Sequence, residues 1–186
     1  MLIVIDNFLD TESDTYKKVT SEESWGDGKK FAGISNKAFG WMNKDETPSN
    51  TFEEVSVKIW EYAKNYMPVE YDGMEYWYNQ LDEGQSLPAH QDKDEALHTK
   101  TGELVHPVIG SVYYCHKELP TGGFLQIERG RSRELERIQP VPNRLVVFDS
   151  SNYHSVSEIR HGCRRHLATN IWVKKPDEDN FKSERY

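Results

Sequence analysis

Cysteine is scarce in this chain: there are two thiols in 186 residues, Cys115 and Cys163, and neither belongs to a CxxC pair. Two isolated cysteines cannot build a disulfide framework, so they read as reduced thiols, which points to the cytoplasm. Positive charge is also in deficit. With a formal net charge of −8, the chain is a poor match for nucleic acid or anionic lipid, because gripping phosphates needs a cationic surface that releases counterions. No apolar run approaches the length of a membrane span. The first residues, Met1 to Ile5 followed by Asp6, are a short apolar run with no basic region before it, which predicts a strand rather than a signal peptide. A serine-hydrolase elbow, a P-loop and a dinucleotide fingerprint are all missing. So are Gly/Ser tracts and internal repeats, and the length suits one domain over residues 1–186.

What is present is aromatic: 12% of the residues, five of them tryptophan, enough for a packed interior. Phe52, Val55, Ile59, Ala63 and Tyr66 recur at helical spacing behind Thr51 and Glu54, which reads as a capping box opening a helix of about four turns. Tyr16 and Val19 anchor a weaker helix after Asp10. From Met74 the texture changes to short runs of aromatic and β-branched residues separated by Gly, Pro, Asn and Asp, at 74–81, 87–91, 107–115, 123–128, 144–149, 153–157 and 164–173. No periodic segment of helix length interrupts them, which argues against a parallel α/β sheet. The expected class is α+β, mainly β: a double-sheet jelly roll over 74–173, supported by a mixed α/β segment, 1–73, and followed by a polar tail, 174–186.

The chemistry centres on His90-Gln91-Asp92 and a distant His154. Residues i and i+2 of a strand face the same way, so one imidazole and one carboxylate can share a metal. Two neutral nitrogens and one anionic oxygen form the facial triad of non-haem Fe(II), which leaves coordination positions open. A structural zinc site would close its fourth corner with another His or Cys, and no such spacing occurs. Alone, the tripeptide is also what a surface histidine beside the acidic run 92–95 looks like. Its surroundings give it weight. The buried run from Asn143 to Asp149 delivers His154, Gly162-Cys163-Arg164 follows ten residues later, Trp172 closes the same strand, Tyr113-Tyr114 ends an earlier one, and Gly122-Gly123 opens another.

Over about residues 74–173 this arrangement resembles the prolyl-hydroxylase branch of the Fe(II)- and 2-oxoglutarate-dependent dioxygenases, which includes the hypoxia-inducible-factor and collagen-type prolyl hydroxylases. The resemblance implies a double-stranded β-helix, Fe(II) on His90, Asp92 and His154, and 2-oxoglutarate held at its far carboxylate by Arg164 with Tyr114. It implies Tyr78 as a further cosubstrate contact, although Leu87 stands where many relatives have a Tyr. Arg165 is a rival clamp, because Trp172 lies two residues further on than usual; Arg164 keeps the Gly-x-Arg spacing and shares strand parity with Trp172. The implied reaction uses dioxygen to hydroxylate an unactivated C–H, with release of succinate and CO2, most naturally on a prolyl residue of a protein or peptide. A free amino acid or other small molecule is an alternative substrate. A cupin-like dioxygenase without cosubstrate would share the fold class, but Arg164 argues against it. A non-catalytic jelly roll that binds a partner remains the reading from another class.

Residues 93–106 read either as a lid or as a solvated insertion. His98, His106, His116, His161 and His166 lack an i+2 carboxylate and read as surface residues, although His166 shares parity with Arg164 and would line its pocket. The basic stretch from Arg129 to Arg133 alternates with Glu128, Glu134 and Glu136, which reads as a solvated hairpin or loop rather than a nucleic-acid patch. Cys115 reads as buried packing.

Overall fold

The structure is a computed structural model that describes residues 1–25, 39–67, 70–129 and 134–177. The basic stretch beyond Arg129 and the tail beyond Asp177 lie outside the described residues.

The N-terminal segment contributes β1 (Leu2–Ile5), α1 (Asp14–Val19), α2 (Glu22–Trp25), β2 (Gly40–Asn43) and α3 (Thr51–Ala63). The α3 cap sits one residue earlier than the sequence pattern predicts. Asn50, not Thr51, is the N-cap, its side chain accepting from the Glu53 amide, while the Glu53 carboxylate accepts from Ser49. The helix ends at Ala63, leaving Tyr66 beyond it and exposed.

The chain then runs through β3 (Gly73–Leu81), β4 (Leu87–His90), α4 (Glu95–Thr101), β5 (Ile109–Tyr114), β6 (Thr121–Gly122) and β7 (Leu125–Arg129). It finishes with β8 (Glu134–Ile138), β9 (Leu145–Phe148), β10 (His154–Val156), β11 (Ile159–His161) and β12 (Arg164–Trp172). Two antiparallel sheets form the jelly-roll core: β1-β9-β5-β12-β3-β2 and β4-β10-β7-β8, with β6 and β11 pairing separately.

Continuous hydrophobic runs in β5 and β9 follow from burial on both faces. Tyr113, Leu145 and Val147 pack toward Val55, Ile59 and Trp60 of α3, while their neighbours Val112, Tyr114, Val146 and Phe148 pack toward Leu125 and Ile127 of the smaller sheet. The larger sheet is thus sandwiched between the N-terminal helices and the smaller sheet, and each residue's parity decides which layer it meets.

Several elements differ from expectation for physical reasons. β8 is an edge strand in which only Ile138 is buried, so it lacks the apolar alternation that marks a strand. α4 does interrupt the strands. It is seven residues long with no buried side chain, and it is made by its caps, Asp94 accepting from the Leu97 amide and Gly102 at φ 77°. β4 ends at His90, so Asp92 is carried by the segment leaving the strand rather than by the strand itself.

Candidate active site

The site is assembled first by strand pairing. His90 closes β4 and His154 opens β10, and the two are direct antiparallel partners. Gln91 ties the exit of β4 to the β9–β10 turn by donating its side-chain amide to the Ser151 carbonyl. Asp92 is thereby brought between the imidazoles: its two carboxylate oxygens lie 3.7 Å from Nε2 of His90 and 3.7 Å from Nε2 of His154. One donor atom from each of the three residues falls within 4.8 Å of the others, and this is a group capable of holding a metal among the described residues.

The imidazoles are oriented alike. His90 Nδ1 lies 2.9 Å from the Pro88 carbonyl and His154 Nδ1 lies 3.1 Å from the Asn152 carbonyl. A carbonyl can only accept, so each Nδ1 carries a proton, and in the neutral ring each Nε2 keeps the lone pair that can take a metal. Phe148 braces His154 edge-on, with ring centroids 5.0 Å apart. His106 is not a loose surface residue. Its Nδ1 donates to the main-chain carbonyl of Asp92 over 2.7 Å, holding the segment that carries the carboxylate.

A cavity of about 120 Å³ opens from these three residues between the sheets. Arg164 lies at its inner end, fully buried. The guanidinium carbon is 5.0 Å from the Tyr114 ring, and Nη1 donates to His166 Nδ1 over 2.7 Å. Its Nε and Nη2, and the Tyr114 hydroxyl, make no hydrogen bond. A buried cation with two idle donors beside an idle hydroxyl is costly unless an anion completes it. Burial disfavours the charged form of both groups, pushing the Tyr114 hydroxyl up and the Arg164 guanidinium down, so Tyr114 stays a neutral donor.

Arg165 faces the opposite layer. It forms a two-pronged ion pair with Glu22 of α2, both contacts 2.6 Å, and donates to Gln80. Tyr78 also belongs to that layer, which corrects its expected place beside the cosubstrate. Its ring stacks on Phe52 at 4.2 Å and meets Trp25 edge-on. Parity is the reason: Tyr78 is opposite Leu167, whereas Asn79 is opposite His166 and lines the cavity together with Trp77.

His116, also expected at the surface, is buried between the Arg165 and Pro140 carbonyls. Burial holds the imidazole below its ordinary value. Cys115 is fully buried packing whose thiol is pushed up by burial, so it is no nucleophile. On the cavity rim, Phe39 packs against Trp77 with ring centroids 5.3 Å apart, and Lys93 pairs with Glu95 at 2.7 Å.

Residues 76–174 match the family model of the 2OG-Fe(II) oxygenase superfamily. The chain belongs to that superfamily. The oxygenase therefore uses Fe(II), 2-oxoglutarate and dioxygen, and is a 2-oxoglutarate-dependent hydroxylase with a prolyl-hydroxylase-like fold.

The fold is shared with solved structures of low identity. A prolyl-4-hydroxylase from Pseudomonas putida is 15% identical with a TM-score of 0.68, covering 94% of this chain and 93% of that one. A prolyl hydroxylase from Trichoplax adhaerens, solved with a hypoxia inducible factor oxygen degradation domain peptide fragment, is 15% identical with a TM-score of 0.63, covering 92% and 83%. A viral collagen prolyl hydroxylase from Paramecium Bursaria Chlorella virus-1, as its 2OG complex, is 14% identical with a TM-score of 0.61, covering 94% and 96%. No curated protein matches the sequence.

The residues present fit both groups. Two Nε2 lone pairs and a carboxylate suit a divalent iron with open positions. The idle donors of Arg164 and Tyr114 suit a carboxylate at the cavity's inner end.

Proposed function

We propose that His90, Asp92 and His154 hold the iron, that Arg164 and Tyr114 hold the distal carboxylate of 2-oxoglutarate, and that the oxygenase hydroxylates a prolyl residue of a protein or peptide. The observation that carries the site assignment is the pairing, within one cavity, of a convergent His-Asp-His group with a buried arginine whose Nε and Nη2 have no partner.

Bound together, Fe(II) and 2-oxoglutarate supply the oxidising chemistry: dioxygen gives one oxygen atom to a C–H and one to succinate, and CO2 leaves. The protein's own groups bind and orient. The Pro88 and Asn152 carbonyls keep both Nε2 lone pairs available, and His106 keeps the Asp92 backbone in place. A guanidinium fork meets a carboxylate in two parallel charge-assisted hydrogen bonds, and these fix the far end of the cosubstrate. Val112, Leu125, Phe148 and Val156 wall the cavity with apolar surface and keep water from the reacting centre.

The substrate assignment draws on likeness in fold to three prolyl hydroxylases, one of them solved with a peptide, and on the aromatic rim of Phe39 and Trp77. Aromatic faces suit the apolar C–H surface of a pyrrolidine ring. Succinate release dependent on both Fe(II) and 2-oxoglutarate, with a gain of one oxygen by prolyl peptides in mass spectrometry, is the expected result. Oxygen gain by free proline or another small molecule and not by any peptide would replace the substrate. Failure to bind Fe(II) under anaerobic conditions would remove the site assignment and leave a binding jelly roll.

A further inference from the structure

The Arg164 guanidinium can meet the two oxygens of a carboxylate with parallel N–H bonds on its Nη1–Nη2 edge or on the edge formed by Nε and Nη2. Nε and Nη2 are the two nitrogens that make no hydrogen bond in the structure. The third nitrogen, Nη1, is taken by His166, 2.7 Å away and itself 3% exposed. We propose that His166 is a positioning residue for the cosubstrate: by accepting from Nη1 it fixes the plane and roll of the Arg164 guanidinium, so that the Nε–Nη2 edge faces the carboxylate. This rests on the reading of Arg164 as the carboxylate clamp.

Three features support the assignment. A guanidinium has no lone pair and can only donate, so His166 Nδ1 is the acceptor and the ring is neutral on that side. His166 stands in the middle of the sheet, its neighbours being Asn79 on β3 and Tyr114 on β5, so its backbone is held on both sides. An arginine has several freely turning bonds, and the Tyr114 face at 5.0 Å attracts the cation without setting its rotation in the ring plane. Directional restraint on the guanidinium comes from the His166 bond, two residues along the same strand face.

The test separates the Arg164 clamp from its support by His166, using both ligand and variant. The ligands are 2-oxoglutarate and 2-oxobutyrate, which share the chelating 2-oxo acid end, whereas 2-oxobutyrate has no distal carboxylate. Affinities are measured by calorimetry on the anaerobic Fe(II)-loaded protein, without turnover. The native protein binds 2-oxoglutarate more tightly. H166L, which cannot accept a hydrogen bond, lowers the 2-oxoglutarate affinity about tenfold, the scale of one charge-assisted bond, and leaves 2-oxobutyrate unchanged. H166N sets an amide oxygen where Nδ1 stands and restores 2-oxoglutarate binding. H166Q carries the same amide one carbon further out and does not.

Equal losses for both acids in H166L, or no loss for either, would overturn the proposal. If H166L does not fold, the contrast of Asn with Gln decides, and equal affinities there overturn it. A native protein that shows no preference for 2-oxoglutarate over 2-oxobutyrate would instead overturn the Arg164 clamp itself, and His166's role with it.

Discussion

His154 stands directly opposite His90 across the β4–β10 pair, with the imidazole centroids 4.3 Å apart. Neighbouring positions on antiparallel strands bring two histidines this close without any loop having to fold over, and a slip of one residue would turn one imidazole to the other face of the sheet. The centre of the site is thus set by strand register, and both Nδ1 atoms are pinned by main-chain carbonyls two residues upstream.

The first expectation concerns that register-paired imidazole. His154→Ala abolishes succinate formation at iron equimolar with protein while circular dichroism and cooperative melting persist. Val156 and the β7 pairing still hold β10 in place. Succinate production by this variant at equimolar iron would count against His154 as a ligand.

The two arginines should separate cleanly. Arg164→Ala raises the 2-oxoglutarate requirement about 10- to 150-fold, the equivalent of about 1.5–3 kcal/mol. Arg165→Ala changes it less than about fivefold, because Arg165 pairs outside the cavity with Glu22, which is 80% exposed, and such pairs contribute about 0–1 kcal/mol. Steady-state kinetics with 2-oxoglutarate varied will show this, and equal effects would place the clamp elsewhere.

Tyr114→Phe should move function and stability in opposite directions. The hydroxyl is buried and makes no hydrogen bond to the protein, so its removal raises unfolding free energy by about 1 kcal/mol. It lowers 2-oxoglutarate affinity several-fold by removing a donor. Urea unfolding and ligand titration on the same preparation check both signs.

Glu53 links acid stability to the N-terminal support. Burial alone would raise its carboxyl, but donation from Ser49 and Tyr76 outweighs burial and holds it below the usual 4.5. With the folded value depressed, the contribution is complete above the unfolded value and is lost as pH falls through the folded one. Glu53→Gln therefore lowers stability at pH 7 by about 1–3 kcal/mol and flattens the acid limb below pH 4.5. An acid limb identical to that of the native chain would show that Glu53 is not responsible.

Much of the core was legible because its elements are apolar and local. The apolar runs 112–115 and 145–148 are continuous because both faces of β5 and β9 are buried, and α3 shows its stripe. β8 and α4 were not legible, since an edge strand with one buried residue and a short surface helix made by its caps leave almost no apolar pattern. Tyr78 was misplaced for a different reason: an aromatic near a motif shows nothing about which face of its strand it occupies until the pairing is known.

By itself the amino-acid order determined the chemical alphabet of this oxygenase: the HxD tripeptide, the distant His154, the Gly-x-Arg spacing, and the short aromatic and β-branched runs that make a jelly roll. Those are properties of composition and short-range period. Only the tertiary structure decided which side chains meet. Register sets His90 against His154, and the layering of helices on one side of the large sheet and strands on the other sends Arg165 to Glu22 and Arg164 into the cavity. Adjacent residues of a strand face opposite ways, so a single step in sequence becomes a change of layer, and that choice is made by pairing across the whole chain.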